Sequence, residues 1–310
     1  AIPLLHAIVL EPLAWPFFRA VTGFCFAILY IAIESWLNEK TSNEHRGAVF
    51  SVYTILNLTV ITAGQMLIAV GDPALFGLFA LASILVSLAT LPVAFTSASA
   101  PTPSAFVMPN LVELYRNSPV GVAGCAAVGL ANGAFWTLGP VFAQEHGFDV
   151  VGIGLFMSIV AIGGAVAQWP LGIASDRMDR RFVIMLSALI AGIATICVTF
   201  LAESVSMILI LGGCFGAGAF PLYSLAVAHA NDHAQTGDMV KISSGLLLVY
   251  GVGAAIGPLM SSLLEDVLPG KALFVFMGGV YAIFIAFVVW RIAQRAPASE
   301  EDRISFNESV

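Results

Sequence analysis

Nine apolar stretches, each about 20 residues long, follow one another through this chain. They cover 15–37, 48–70, 74–95, 120–142, 151–173, 182–201, 207–228, 242–264 and 272–292. As α-helices such lengths match the hydrocarbon core of a bilayer, ~30 Å thick. In that layer every backbone N–H and C=O must be satisfied within its own segment, which selects helices over open sheets. No succession of alternating ten-residue strands points to a β-barrel. Turn-forming residues fall between the stretches: Gly71-Asp72-Pro73, Pro119 and Pro269-Gly270. Residues 1–10, AIPLLHAIVL, are too short to span and read as the end of a further helix. The expected fold is an all-α integral membrane bundle.

Composition agrees. The chain is 59% hydrophobic and only 10% charged, so water-facing side chains cannot cover it. Its net charge of −7, with 12 basic residues in no dense patch, argues against nucleic acid. Cys25, Cys125, Cys197 and Cys214 lie far apart in apolar runs and form no metal or redox spacing. No cofactor and no metal are expected. Catalysis within a membrane would need paired acids or a His/Asp pair inside the spans, and none is found, so an enzyme is not expected.

Lys and Arg set the orientation. If 38–47 is cytoplasmic, the loops on that side carry Lys40, Arg46, Arg116, Arg177, Arg180, Arg181, Lys241, Arg291, Arg295 and Arg303. The opposite side carries Lys271 alone, and Arg19 lies inside a span. The longest inner loop, 96–119, is rich in Ser, Thr, Ala and Pro at its start and reads as a linker. It divides the chain into 1–95, a partial helix bundle, and 120–292, a six-helix bundle, with a polar tail over 293–310. At an offset of 193 residues Gly23, Tyr30, Asn38, Ser51 and Gly64 fall on Gly216, Tyr223, Asn231, Ser244 and Gly257, while Glu39 falls on Asp232. This weak internal repeat spans both segments without a gap.

Five charges crowd six positions in LGIASDRMDRR, residues 171–181. Gly172, Asp176, Arg177, Arg180 and Arg181 match G-x-x-x-D-[RK]-x-G-[RK]-[RK], the signature between the second and third helices of a half in the major facilitator superfamily. Asp179 stands where that pattern has Gly, in a turn expected to favour φ > 0. Arg19, Gly23 and Ala27 resemble the family's R-x-x-x-G-x-x-x-A in its fourth helix. ESWLNEKTSNEHRG, 34–47, resembles a bacterial branch of the family. The drug-antiporter pattern G-x-x-x-G-P-x-x-G-G is absent from 48–70. The resemblance implies that the nine spans stand for the fourth through twelfth helices, with 1–10 a remnant of the third. The first-half signature would then fall about 17 residues before residue 1, and roughly 80 residues of the family's length would precede residue 1.

The resemblance also implies a secondary transporter that moves a small solute by alternating access, coupled to protons, as a monomer in the bacterial inner membrane with linker and tail cytoplasmic. Asp176 would then face the start of the helix near Arg46 and hold an inner gate, with Arg177, Arg180 and Arg181 against anionic headgroups. A transporter-fold sensor or assembly partner without turnover is the alternative. Polar groups inside spans mark candidate cavity or coupling positions: Arg19, Glu34, Tyr53, Asn57, Gln65, Asn132, Trp136, Gln168, Tyr223 and Tyr250. Each has a plainer reading. Arg19 could snorkel to headgroups, Glu34 could be a helix-end charge, and the rest could make interhelical hydrogen bonds or packing contacts. The glycines of 152–164, 212–220 and 251–257 sit three or four apart, as close helix contacts require.

Overall fold

The computed structural model describes residues 2–40, 46–72, 75–95, 110–232 and 239–294. Every regular element among them is helical. In chain order these are α1 (Ile2–Ile8), α2 (Ala14–Lys40), α3 (Arg46–Met66, followed by a 3-10 turn, Leu67–Val70), α4 (Phe76–Phe95), α5 (Leu111–Asn117), α6 (Pro119–Glu145), α7 (Val150–Arg177), α8 (Arg180–Leu201), α9 (Val205–Ala219), α10 (Pro221–Asn231), α11 (Met239–Ser262) and α12 (Ala272–Gln294). The chain divides into two compact units. One comprises Ala1–Tyr53 and Met66–Ala105, the other Thr54–Gln65 and Phe106–Val310.

In the first unit α1 packs on α2 and α4. His6 is buried edge-on against Trp15 and Phe18, with ring centroids 5.3 and 5.4 Å away. Trp15 donates its indole N–H to the Val9 carbonyl at 2.9 Å.

The second unit holds six stretches long and apolar enough to cross a membrane: Pro119–Glu145, Val150–Arg177, Arg180–Leu201, Val205–Asn231, Ile242–Ser262 and Ala272–Gln294. Their ends follow from local chemistry. Asp149 Oδ1 accepts the Gly152 N–H at 2.8 Å, and Ser204 Oγ accepts the Met207 N–H at 3.3 Å, each capping the helix that follows. Pro119 and Pro221 occupy first-turn positions, where a missing N–H costs nothing. Pro221 also interrupts the fourth span. It cannot donate to the carbonyl four residues back, so α9 ends at Ala219 and α10 begins at Pro221. Beside this break the Gly218 carbonyl accepts the Ser187 hydroxyl of α8 at 2.6 Å. The span expected over 207–228 is present and is built from two helices.

Lipid tails are as apolar as leucine, so these helices gain little from burial and must gain from close packing. Glycine supplies the approach. A Cβ on Gly129 or Gly133 of α6 would run into the Tyr250 or Ala254 carbonyl of α11. One on Gly163 or Gly216 would meet the Gly213 or Val160 carbonyl, joining α7 to α9. Small residues spaced three or four apart thus bring backbone onto backbone, as their spacing predicts. Aromatic rings fill the middle of the unit. Phe135 and Phe215 lie 5.3 Å apart, Phe142 and Phe274 4.7 Å, and Tyr281 is fully buried beside them.

Candidate functional site

Two groups of side chains in the second unit carry chemistry beyond packing. The first surrounds the α7–α8 turn. Asp179 caps α8, its Oδ1 accepting the Arg181 N–H at 3.0 Å. Its φ of −60° is ordinary, so the left-handed turn expected at this position does not occur. Aspartate suits the position because it caps a helix, which glycine does without a side-chain acceptor. Arg181 also folds back onto the same carboxylate, Nε at 3.1 Å and Nη2 at 2.8 Å. Burial pushes the Asp179 carboxyl up, but the Arg181 hydrogen bonds and the charges of Arg181 and His229 outweigh it. The net result lies below the usual carboxylate range.

Arg180 is 2% exposed. Its Nη2 lies 3.3 Å from Asp176 Oδ1 at the end of α7, and its Nε 2.9 Å from Asp232 Oδ2 at the end of α10. One guanidinium thus joins three helix ends. Helix dipoles explain the arrangement. Asp176 and Asp232 sit at C-terminal ends and Arg180 at an N-terminal end, each unfavourable alone. Brought together, they compensate one another. Arg180 and Arg181 therefore do not lie against lipid headgroups as expected: both are buried on carboxylates of this bundle. Arg177 is exposed, and Gly172 is buried in α7.

The second group lies between α6, α7, α10 and α11. The Asn132 side chain lies near the Tyr250 hydroxyl, and Tyr250 meets Tyr223 edge-on at 5.2 Å. Gln168 Nε2 donates to Ser224 Oγ at 2.9 Å, next to Tyr223. Trp136 stacks on Phe220 at 5.5 Å, and Gly164 leaves the room that the Phe220 ring occupies. Asn132, Trp136, Gln168, Tyr223 and Tyr250 are thus brought together. Asn132 is 7% exposed and its Oδ1 has no hydrogen-bond partner. An orphaned buried acceptor is costly, and a bound donor would satisfy it.

Other candidates lie elsewhere. Arg19 is exposed on α2, and Tyr53, Asn57 and Gln65 are half-buried along α3. The side chains of Glu34 and Arg46 lie outside the described residues. Asp232, Phe220 and Ser224 were missed as site residues by the reading of the sequence. The signal for Asp232 was there in the offset that paired it with Glu39.

Stacked apolar helices with charge confined to their ends, and a polar-aromatic group between them, define a multi-pass membrane protein. Residues 121–307 match the family described as the Major Facilitator Superfamily. An uncharacterized MFS-type transporter of Yersinia enterocolitica is 27% identical over 281 residues, covering 89% of this chain and 71% of that protein. The MFS-type transporter YcaD of Escherichia coli is 25% identical over 279 residues, covering 89% and 72%. One from Enterobacter sp. strain 638 is 26% identical over 280 residues, with the same coverage. The chain belongs to the Major Facilitator Superfamily of transporters.

Proposed function

We propose that this protein is a secondary active transporter that carries a small solute across the bacterial inner membrane by alternating access, coupled to protons. The observation that carries the reading is the rod formed by α10. Phe220, Tyr223 and Ser224 stand at its start, within the polar-aromatic group, and Asp232 stands at its end, paired with Arg180. A solute bound by the first group shifts a helix whose far end is held by an ion pair. Such a link between a midplane site and a gate is what alternating access requires. The ten-to-one distribution of basic residues supports an orientation with the α7–α8 turn, the 96–119 linker and the tail in the cytoplasm.

The solute is found by comparing metabolites of deletion and overexpression strains. It is then tested by counterflow of the labelled compound in proteoliposomes. We expect accumulation of label that is abolished by dissipating the proton gradient in uptake assays but persists in counterflow. Binding without counterflow would replace transport with a sensing role. Loss of counterflow in Asn132→Ala, at unchanged expression, places the solute at the polar-aromatic group.

A further inference from the structure

The Ser- and Pro-rich linker ends in a helix that the bundle only partly covers. α5, Leu111–Asn117, starts at Asn110, whose side chain accepts the Glu113 N–H at 3.3 Å. It ends at Ser118, after which Pro119 opens the first span of the second unit. Seven residues are too few to hold a helix in water unaided. One side chain fastens it to the bundle: Leu114, 5% exposed, packs in a cluster with Cys125, Ala226, Val227 and Ile242. At 100° per residue Leu111, Val112 and Tyr115 fall on one arc beside Leu114, while Glu113, Arg116 and Asn117 fall on the opposite arc. Leu111, Val112 and Tyr115 are 40%, 64% and 48% exposed.

Its position says what covers that arc. α5 joins a membrane span without an intervening loop, so it lies at the level where that span enters the lipid. Leu114, in one buried cluster with residues of α6, α10 and α11, keeps it folded against the bundle and not projecting away from it. A half-apolar helix at that depth meets the boundary between headgroups and acyl chains, with tyrosine at the level aromatic residues favour. We infer that α5 is an interfacial anchor whose Leu111, Val112 and Tyr115 face lies in the lipid boundary of the leaflet where α6 begins. Arg116 and Glu113 then point to the aqueous side. The anchor matters to the site because the cluster that receives Leu114 includes Val227 and Ala230 of α10, the helix that ends at the Arg180 ion pair.

The test uses spin labels on the full chain in vesicles of phosphatidylethanolamine with a minority of phosphatidylglycerol. Cys25, Cys197 and Cys214 are replaced by Ser, and the fully buried Cys125 is left in place. Single cysteines are introduced as Val112→Cys, Tyr115→Cys and Asn117→Cys. Labels at 112 and 115 are expected to collide several-fold more with oxygen than with a water-soluble nickel chelate, and the label at 117 to show the reverse. Equal chelate access at all three would overturn the inference, since the arc would then face water. So would immobilised labels at 112 and 115 that neither reagent reaches, because protein would then cover the arc. Counterflow of the variants is a separate readout. Its loss bears on transport and leaves the depth measurement intact.

Discussion

Arg180 Nε lies 2.9 Å from Asp232 Oδ2, and the two side chains are 1% and 3% exposed. A charge pair so enclosed is hard to break from one side. Asp232→Ala removes the nearer carboxylate from the buried Arg180 guanidinium, leaving Asp176 at 3.3 Å, and should cost about 3–5 kcal/mol. Thermal unfolding in detergent measures it. Replacing both residues by apolar ones, Arg180→Met with Asp232→Leu, should recover most of the loss. A double variant as unstable as the single would show that the pair is not the source.

Asp179 has two roles that substitution separates. Asn at this position still caps α8 but carries no charge, whereas Ala does neither. Because the folded carboxyl is held below its ordinary range, the charge adds stability above the unfolded value, about 3.9. That contribution fades as pH falls through the folded value. Asp179→Asn should therefore lower the melting temperature at pH 7 and converge on the wild type under strongly acidic conditions. Asp179→Ala should keep a deficit of about 1 kcal/mol at every pH. A gap between Asn and wild type that widens on acidification would reverse the sign and reject the account.

Gly216 abuts the Val160 backbone, whereas a Cβ on Gly251 would meet nothing within 4 Å. Gly216→Val should prevent α7 and α9 from closing and abolish a monodisperse peak in size-exclusion chromatography. Gly251→Ala should raise stability by about 0.5–1 kcal/mol, the ordinary helix preference of alanine. Equal tolerance at both sites would contradict backbone contact as the source of packing.

The Gln168–Ser224 hydrogen bond joins α7 to α10 at 2.9 Å. A double-mutant cycle with Gln168→Ala and Ser224→Ala should give a coupling of about 0.6 kcal/mol, the usual size for such bonds within a bilayer. Strict additivity in unfolding measurements would mean that the two side chains do not share a bond.

What could be read from the sequence was whatever rests on period and length. The second unit's spans follow from runs of apolar residues, because a bilayer imposes the same length on each. Its glycine contacts follow from spacing, because only small residues let backbones touch. The break before α10 was not visible, since Pro221 lies inside an uninterrupted apolar run. α5 was hidden by the Ser and Pro residues before it, and seven residues are too few for a period to emerge. The second carboxylate on Arg180, Asp232, lies 52 residues further along, beyond the reach of any local motif. The five polar and aromatic residues that meet between these helices were each legible as costly in lipid. Their meeting was not, because it depends on how the helices are rotated.

The proline that opens α10 divides one membrane crossing into two hydrogen-bond ladders of unequal length. The 15 residues of α9 and the 11 of α10 no longer share a bond register across Pro221. Each ladder can open without breaking the other, so amide exchange along this span should fall into two populations. The shorter ladder carries the residues that would meet a solute and the carboxylate that would hold a gate. Its local melting sets a ceiling on how firmly either can be held, whatever the stability of the bundle as a whole.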